Sequence, residues 1–369
     1  MKKLAIIGAS YLQLPLVLKA KEMGLETHCF AWPDGAVCKE ASDYFYPISI
    51  LEKETILEQC KKIGIDAITT IATDMAVPTI CYVAKELGLI ANSYESAIIS
   101  TNKSAMRQAF VKGNCNIPKF RKVDSEVFNI DDFTFPVIIK PVDRSGSRAI
   151  FKAESSEEIP AALATAIDES FAKNAIIEEF IEGVEVSVET ISWKGEHTIL
   201  AITDKTTTNA PYFVELAHHQ PSKLPEQIQK RIKEETIKCL NALHIQYGAG
   251  HSEFKITDKG EVFVIEVGAR MGGDFIGSHL VELSTGYDFL KGVIQCALNE
   301  FKKPYVQIKN NAGVFFLCEE TRELLPYFNK KNTFDIEKKI FEQNLKSIHN
   351  SNDRSGYLIY QSNERIELL

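Results

Sequence analysis

The sequence contains no apolar run near the roughly 18 residues that span a bilayer as a helix. It has no CxxC pair among its eight cysteines, no internal repeat, no low-complexity tract and no basic surplus. The first absence excludes a helical membrane span. The second removes the usual zinc and redox spacings, so the cysteines read as reduced core thiols of a cytoplasmic protein. Lys and Arg number 42 against 50 Asp and Glu, a net charge of −8, which argues against nucleic acid as the main partner. Two phosphate-binding signatures are also missing. No GxxxxGK[ST] occurs, and GASYLQ after the first apolar run fails GxGxxG. The opening MKKLAIIGAS meets Gly8 too soon for a secretory signal and reads as a first strand. What is present is ordinary for a soluble globular chain: 369 residues, 45% hydrophobic and 25% charged, enough for two or three domains.

Apolar patterning predicts strands at 3–7, 25–31 and 65–72 and helices at 52–63 and 76–87, an open and mainly parallel α/β sheet. Ligand groups of such a sheet gather at strand C-terminal ends, here Gly8 to Gln13 and Thr73-Asp74. After about residue 100 the pattern changes. A helix at 101–112 precedes strands at 136–140, 149–153 and 175–181, with a helix across 156–170. Strands 184–193 and 196–205 flank a Lys194-Gly195 turn, and Ile228, Ile232, Cys239, Leu240 and Leu243 mark an amphipathic helix. A hairpin follows at 249–257 and 261–268, and the end of the chain has strand-like FFLCEE and YLIYQ pieces around a charged helix.

The passage HSEFKITDKGEVFVIEVGARMGG, residues 251–273, carries the most chemistry. A two-residue turn at Lys259-Gly260 pairs Asp258 with Glu261, Phe254 with Ile265, and Glu253 with Glu266. Phe254, Ile256, Phe263 and Ile265 then share an apolar face, and the two glutamates oppose each other on the other face. Directly opposed like charges destabilise a hairpin, and a divalent cation would reverse that sign. The plainer reading is two solvated glutamates. Arg270, beside Gly272 and Gly273, offers a fork and backbone amides for an anion, or is a surface arginine before a helix. Lys140 ends a buried strand, where it meets a phosphate or snorkels from the sheet edge. The DRSGSR loop suits covering phosphates or is an ordinary turn. In IIEEFIEGVEVSVE, main-chain groups between two strands could read an adenine edge beside Phe180 and Ile181, with Glu185 on ribose; the alternative is an acidic surface patch.

The ordered set NKSAMR, FPVIIKPVDRSGSR, EEFIEGVEVSVE, HSEFK and IEVGARMGG resembles the ATP-grasp superfamily, most closely its carboxylate–amine ligase branch. The resemblance implies an ATP-grasp fold: an N-terminal parallel α/β domain over 1–100, an ATP-grasp domain over 101–303 with a small β-α-β lid at about 115–185 and a mainly antiparallel core, and an α/β segment over 304–369. It places Lys103 and Lys140 on ATP phosphates, Ser145, Gly146 and Ser147 in a mobile phosphate loop, and Glu178, Glu179, Phe180 and Ile181 in the adenine hinge, with Glu185 on ribose. Glu253 and Glu266 become ligands of Mg²⁺, or of Mn²⁺, and Arg270 holds the substrate carboxylate or the acyl-phosphate transition state. The stretch AITDKTTTNAPYFVELAHHQPSKLP resembles a substrate-side loop, with Lys205, Glu215, His219, Arg270, Gly272 and Gly273 as substrate contacts. His218-His219 could instead begin a zinc site, but no third ligand stands at suitable spacing. One departure is Gly268, where many members carry an asparagine as third metal ligand. The implied activity is ATP-dependent amide formation between a small carboxylate and an amine, an amino acid or a small peptide precursor, with no nucleic-acid or membrane partner and a homodimer as the default. The rivals are a bicarbonate-activating carboxylase or carbamoyl-phosphate enzyme, weakened because no biotin-carrier segment appears, and a nucleotide sensor without catalysis.

Overall fold

The computed structural model describes residues 1–124, 129–144, 148–208 and 212–369. Strands are numbered in chain order. The N-terminal part is a parallel sheet of β1 (Lys3–Ile7), β2 (Glu26–Phe30), β3 (Tyr44–Tyr46) and β4 (Ala67–Thr69), in the order β3-β2-β1-β4. From Leu4 to Ile7, β1 is apolar because both faces are covered. Leu4 and Ile6 pack on Leu16, Val17 and Ala20 of the helix Leu14–Glu22, while Ala5 and Ile7 pack on Ile56, Leu57 and Ile80 of the helices Lys53–Ile63 and Val77–Leu87. At the C-terminal edge, the Gln13 side chain accepts from the Ser10 amide at 2.9 Å and donates to the Ile71 carbonyl at 2.7 Å. That bridge fixes the loops after β1 and β4 side by side.

The helix expected over 101–112 runs from Lys103 to Lys112, and a separate helix, Tyr94–Thr101, comes just before it. Asn102 separates them in an extended conformation, and its side chain caps the second by accepting from the Ala105 amide at 3.0 Å. The break puts Lys103 in the first turn of a new helix. A small antiparallel sheet follows, β5 (Phe120–Val123), β6 (Val137–Pro141), β7 (Phe151–Ala153) and β8 (Ala175–Glu179), in the order β5-β8-β6-β7. The helix Ile159–Glu169 covers it through Ile159, Leu163 and Ala166. β5 was not expected, since FRKV shows no apolar alternation.

The largest sheet has eight antiparallel strands in the order β13-β12-β9-β10-β11-β14-β16-β15. These are β9 (Val184–Trp193), β10 (Glu196–Thr207), β11 (Glu215–Gln220), β12 (Tyr247–Ile256), β13 (Val262–Gly268), β14 (Asn311–Leu317), β15 (Asp335–Ile340) and β16 (Gly356–Ser362). The expected substrate-side loop is therefore partly strand β11. Between the two strand-like pieces, where a charged helix is expected, Glu319–Leu324 and Leu325–Phe328 form two short helical turns and Asp335–Ile340 is a strand. DIEKKI pairs along β16 at the sheet edge, where charged side chains suit a strand open to water. Residues after 304 thus extend the large sheet. The cysteines are all free and buried, and no helix among the described residues is long and apolar enough to cross a membrane.

The β12–β13 hairpin pairs Glu253 with Glu266 as expected, though by a different route. The turn is one residue longer, with Thr257 and Glu261 closing it and Gly260 at φ +76°. That sets Ile256 opposite Val262 and Phe254 opposite Val264. A bulge at Ile265 then restores the register at the glutamates. The core face is accordingly Phe254, Ile256, Val262 and Val264, while Phe263 and Ile265 lie outside it. Because the Asn102 cap governs where Lys103 begins its helix, Asn102→Ala should lower the denaturation free energy by about 1 kcal/mol, read as a lower midpoint with an unchanged slope.

Candidate active site

A cleft opens between the small sheet and the large one, lined by Lys103, Lys140, Phe180, Glu253, Glu266 and Arg270 among others. The helix starting at Lys103 aims its ammonium at the Glu266 carboxylate, Nζ to Oε1 3.0 Å, and at the Arg144 carbonyl at 2.7 Å. At the end of β6, Lys140 lies 2.7 Å from Glu178 Oε2. The other oxygen of Glu178 accepts from Arg107 Nε at 2.6 Å, and Arg107 also donates to the Ile265 carbonyl at 2.7 Å. The Ile265 bulge thus anchors Arg107 beside the metal-candidate strand. Burial would raise the Glu178 carboxyl, but Arg107 and Lys140 hold it down at about 2. Burial keeps the Lys140 ammonium below the usual lysine value despite Glu178. Glu178 was expected in the adenine hinge. Its side chain is instead the shared counter-ion of two buried cations.

Across the cleft, Lys205 of β10 is nearly enclosed by carboxylates. Its Nζ lies 2.5 Å from Glu185, 3.0 Å from Glu253 and 3.4 Å from Glu215. Burial opposes its charge, yet these three carboxylates hold its pKa well above the ordinary value. Glu253 Oε1 also receives His251 Nε2 at 3.3 Å, while the opposite ring nitrogen bonds the fully buried Glu189. Burial would neutralise His251, but Glu189 and Glu253 raise it to about 9. The other oxygen of Glu189 accepts from the Gly272 amide at 3.0 Å. A Cβ at residue 272 would come 2.4 Å from Glu189 Oε1, so only glycine lets that amide approach. The Gly272 amide, expected on an anion, is engaged within the protein, whereas Gly273 lines the inner end of the cleft.

Arg270 follows β13 and forks onto Asp74 from the loop after β4, at 2.9 and 2.8 Å. Its third nitrogen, Nη1, makes only a long 3.3 Å contact to the Met271 carbonyl. Gly268 explains how Asp74 fits. A Cβ there would stand 2.5 Å from Asp74 Oδ1 and 3.2 Å from Arg270 Nε. The space that an asparagine side chain would need is filled by a carboxylate from the N-terminal sheet. Beyond Arg270 the cleft continues past Glu215, His218 and Asp274. Arg354, which precedes β16, reaches Asp274 at 2.9 Å and Glu215 at 3.2 Å.

The cleft therefore gathers Lys103, Lys140, Glu178, Glu179, Phe180, Ile181, Glu185, Lys205, Glu215, Glu253, Glu266 and Arg270. His219 is not among them. A bulge at Leu216 changes the alternation of β11, so His218 joins Glu215 while His219 turns into the core against Phe315 and bonds Tyr360 Oη at 2.8 Å. Burial pushes the His219 ring down to about 3, which suits a neutral core imidazole. In the hinge, the Phe180 amide already donates to the Pro136 carbonyl at 3.1 Å. Glu185 is held by Lys205 and Lys255. Ser145, Gly146 and Ser147 lie outside the described residues. Residues not singled out from sequence include Arg107, Glu189, His251, Asp274 and Arg354, whereas Asp74 was marked as a strand-end position and His218 only as a possible zinc ligand. His251 was legible as the i−2 neighbour of Glu253 on one strand face. Asp74 was legible by its place after β4, and Arg354 had only a remote position to offer.

The donor set fits Mg²⁺ or Mn²⁺: two partly exposed carboxylates facing one cleft, hard oxygen ligands with water access.

Two outcomes test this geometry. Gly268→Ala should break the Asp74–Arg270 fork and lower stability by about 1–3 kcal/mol, and adding Asp74→Ala should recover part of the loss, a coupling read by a double-mutant cycle. Glu178→Gln, which strands Arg107 and Lys140, should cost about 3–5 kcal/mol near neutrality. Because the folded carboxyl sits near 2 against an ordinary 4.5, that contribution is fully present above about 4.5 and fades as pH falls toward 2. Denaturant titrations of both proteins should therefore converge in acid.

Residues 133–278 match the family described as an ATP-grasp domain. The alanine–anticapsin ligase of Bacillus subtilis is 28% identical over 278 residues, covering 64% of this chain and 57% of that protein. The chain thus aligns with little more than half the length of that curated relative. A D-alanine–D-alanine ligase of Flavobacterium johnsoniae is 30% identical over 37% of this chain and 43% of its own. Among solved structures, an L-amino acid ligase from Bacillus licheniformis superposes with a TM-score of 0.82 at 22% identity, covering 99% of this chain and 94% of the other. A phosphoribosylglycinamide synthetase from Anaerococcus prevotii gives 0.78 at 23% identity, over 98% and 94%. Residues 133–278 thus match an ATP-grasp domain, and nearly the whole chain shares the fold of these solved structures.

Proposed function

We propose that the chain is an ATP-dependent carboxylate–amine ligase acting on an amino acid or a small peptide precursor. One observation carries the reading: Glu253 and Glu266 face each other across a hairpin, in a cleft that also holds Lys103, Lys140, Lys205 and Arg270. A carboxylate pair ringed by cations suits a substrate that brings both phosphates and a metal ion. The similarity to alanine–anticapsin ligase and D-alanine–D-alanine ligase favours amino-acid substrates.

In the proposed reaction a carboxylate oxygen attacks the γ-phosphorus of ATP, and the bond to the ADP oxygen breaks. The amine nitrogen then attacks the acyl carbon, inorganic phosphate leaves, and the nitrogen loses a proton to give the amide. The protein supplies position and charge rather than covalent chemistry. Lys140 and Lys103, fixed by Glu178 and Glu266, offer ammonium groups to phosphate oxygens. Arg270, oriented by Asp74, retains Nη1 for the carboxylate or the acyl phosphate. Mg²⁺ held by Glu253 and Glu266 would neutralise charge on the phosphates. Lys205 and His251 keep Glu253 ionised in its absence.

A pairwise screen of amino acids for ATP-dependent phosphate release, with products weighed by mass spectrometry, should give a dipeptide-like amide and ADP. With the substrates found, Glu266→Gln should slow ADP formation by about 100-fold or more while the protein stays folded. Tight ATP binding with no substrate-stimulated phosphate release across the panel would favour a nucleotide sensor instead.

A further inference from the structure

A second cavity of about 620 Å³ lies between the N-terminal sheet and the last strands. Tyr11, Leu18 and Val37 form one wall, and Phe275, Phe316 and Tyr357 the other. The second wall is a packed aromatic cluster, with Phe275 4.4 Å from Tyr357 and 6.5 Å from Phe316 between ring centroids. The first is half open to water: Tyr11 is 42%, Leu18 53% and Val37 48% exposed. Several large apolar side chains left accessible around one concavity are the usual signature of a small-molecule site.

The chamber adjoins the inner end of the cleft. Ser351 lines both cavities. Tyr11 lines the chamber and Leu12 the cleft; Phe275 lines the chamber and Asp274 the cleft. The Asp274-Phe275 step that divides them is held at φ +50° and +65°, a conformation a bulky phenylalanine rarely adopts. Arg354 lies at the same junction, stacked 3.7 Å over the Phe316 ring. One nitrogen, Nη2, binds Asp274 and Glu215. Its Nε and Nη1 are buried and have no hydrogen-bond partner among the described residues. Ion pairs then run from Arg354 through Glu215 to Lys205 and on to Glu253.

We propose that this chamber binds the side chain of an α-amino acid substrate with a bulky apolar side chain, whose carboxylate is received by Arg354. The amino end then points toward the carboxylates of Asp274 and Glu215 and the cleft beyond. The proposal names the substrate class for the ligase reading and rests on it, although binding is measurable without turnover.

Calorimetry on the whole chain, loaded with Mg²⁺ and a non-hydrolysable ATP analogue, would compare L-phenylalanine, L-alanine and phenethylamine. L-Phenylalanine should bind at least about tenfold more tightly than L-alanine, since a buried aromatic side chain is worth that much or more. Phenethylamine, which lacks the carboxylate, should lose most of that affinity. Val37→Trp, a half-exposed position that would fill the chamber, should abolish the preference for L-phenylalanine while nucleotide binding stays unchanged. Equal binding of L-phenylalanine and L-alanine, full binding of phenethylamine, or an unaltered preference in Val37→Trp would each overturn the chamber. If L-phenylalanine binds as expected but no amino acid stimulates phosphate release, the chamber stands and the ligase reading fails. If amino acids stimulate release with the same KM in Val37→Trp, the ligase reading stands and the chamber fails.

Discussion

Two glutamates placed opposite each other on β12 and β13 impose the constraint on which the rest of the cleft depends. Like charges in that relation repel, and the protein answers with a cation for each: Lys103 on Glu266, and Lys205 with His251 on Glu253. Every one of those cations needs its own support. Lys103 requires a helix that begins at Asn102. Lys205 requires three carboxylates, and His251 requires buried Glu189, which in turn requires a glycine at 272. The site is thus an alternating lattice of charges in which few members can be removed without stranding another. Such a lattice also has the right exchange chemistry. On the proposed function, a substrate that brings phosphates and a divalent ion would replace the lysine–glutamate contacts with phosphate–lysine and metal–glutamate contacts of the same signs.

The lattice crosses between parts of the molecule. Asp74 comes from the loop after β4, yet it aligns Arg270 after β13, and the Ala72 amide bonds the Met271 carbonyl at 3.1 Å. Gly268 is what makes this contact sterically open. A position that looked like a missing metal ligand is therefore the point where the N-terminal sheet enters the site. Arg354, near the far end of the chain, closes the other side through Asp274 and Glu215.

Much of the fold was legible because its signals are local and periodic. The parallel N-terminal strands, the helix Glu226–Ala242 and the long hairpin of β9 and β10 fall close to their expected places. The opposed glutamates were legible for an instructive reason. The assumed turn was one residue too short, and the unforeseen bulge at Ile265 cancelled the error at Glu253 and Glu266, although not on the core face. A similar bulge at Leu216 worked the other way and exchanged His218 for His219. Bulges are fixed by packing and by contacts such as Arg107 to the Ile265 carbonyl, so strand alternation alone does not reveal them. Asn102 carried a legible cap signal at the start of the helix expected over 101–112. Charged β15 carries no strand alternation of its own because its pairing with β16 is a tertiary fact, and Arg354 joined the site from more than 80 residues beyond Arg270 with no motif to mark it.

The central claim is that this charged cleft activates a carboxylate by phosphoryl transfer from ATP. Positional isotope exchange tests it without the second substrate. ATP labelled with ¹⁸O in the β–γ bridge would be incubated with protein, Mg²⁺ and the carboxylate alone. Reversible acyl-phosphate formation frees the ADP phosphate to rotate, so label should scramble into the β-nonbridging positions only when the carboxylate is present. Amide formation by the complete system with no carboxylate-dependent scrambling, in a reaction shown to release ADP reversibly, would contradict the account.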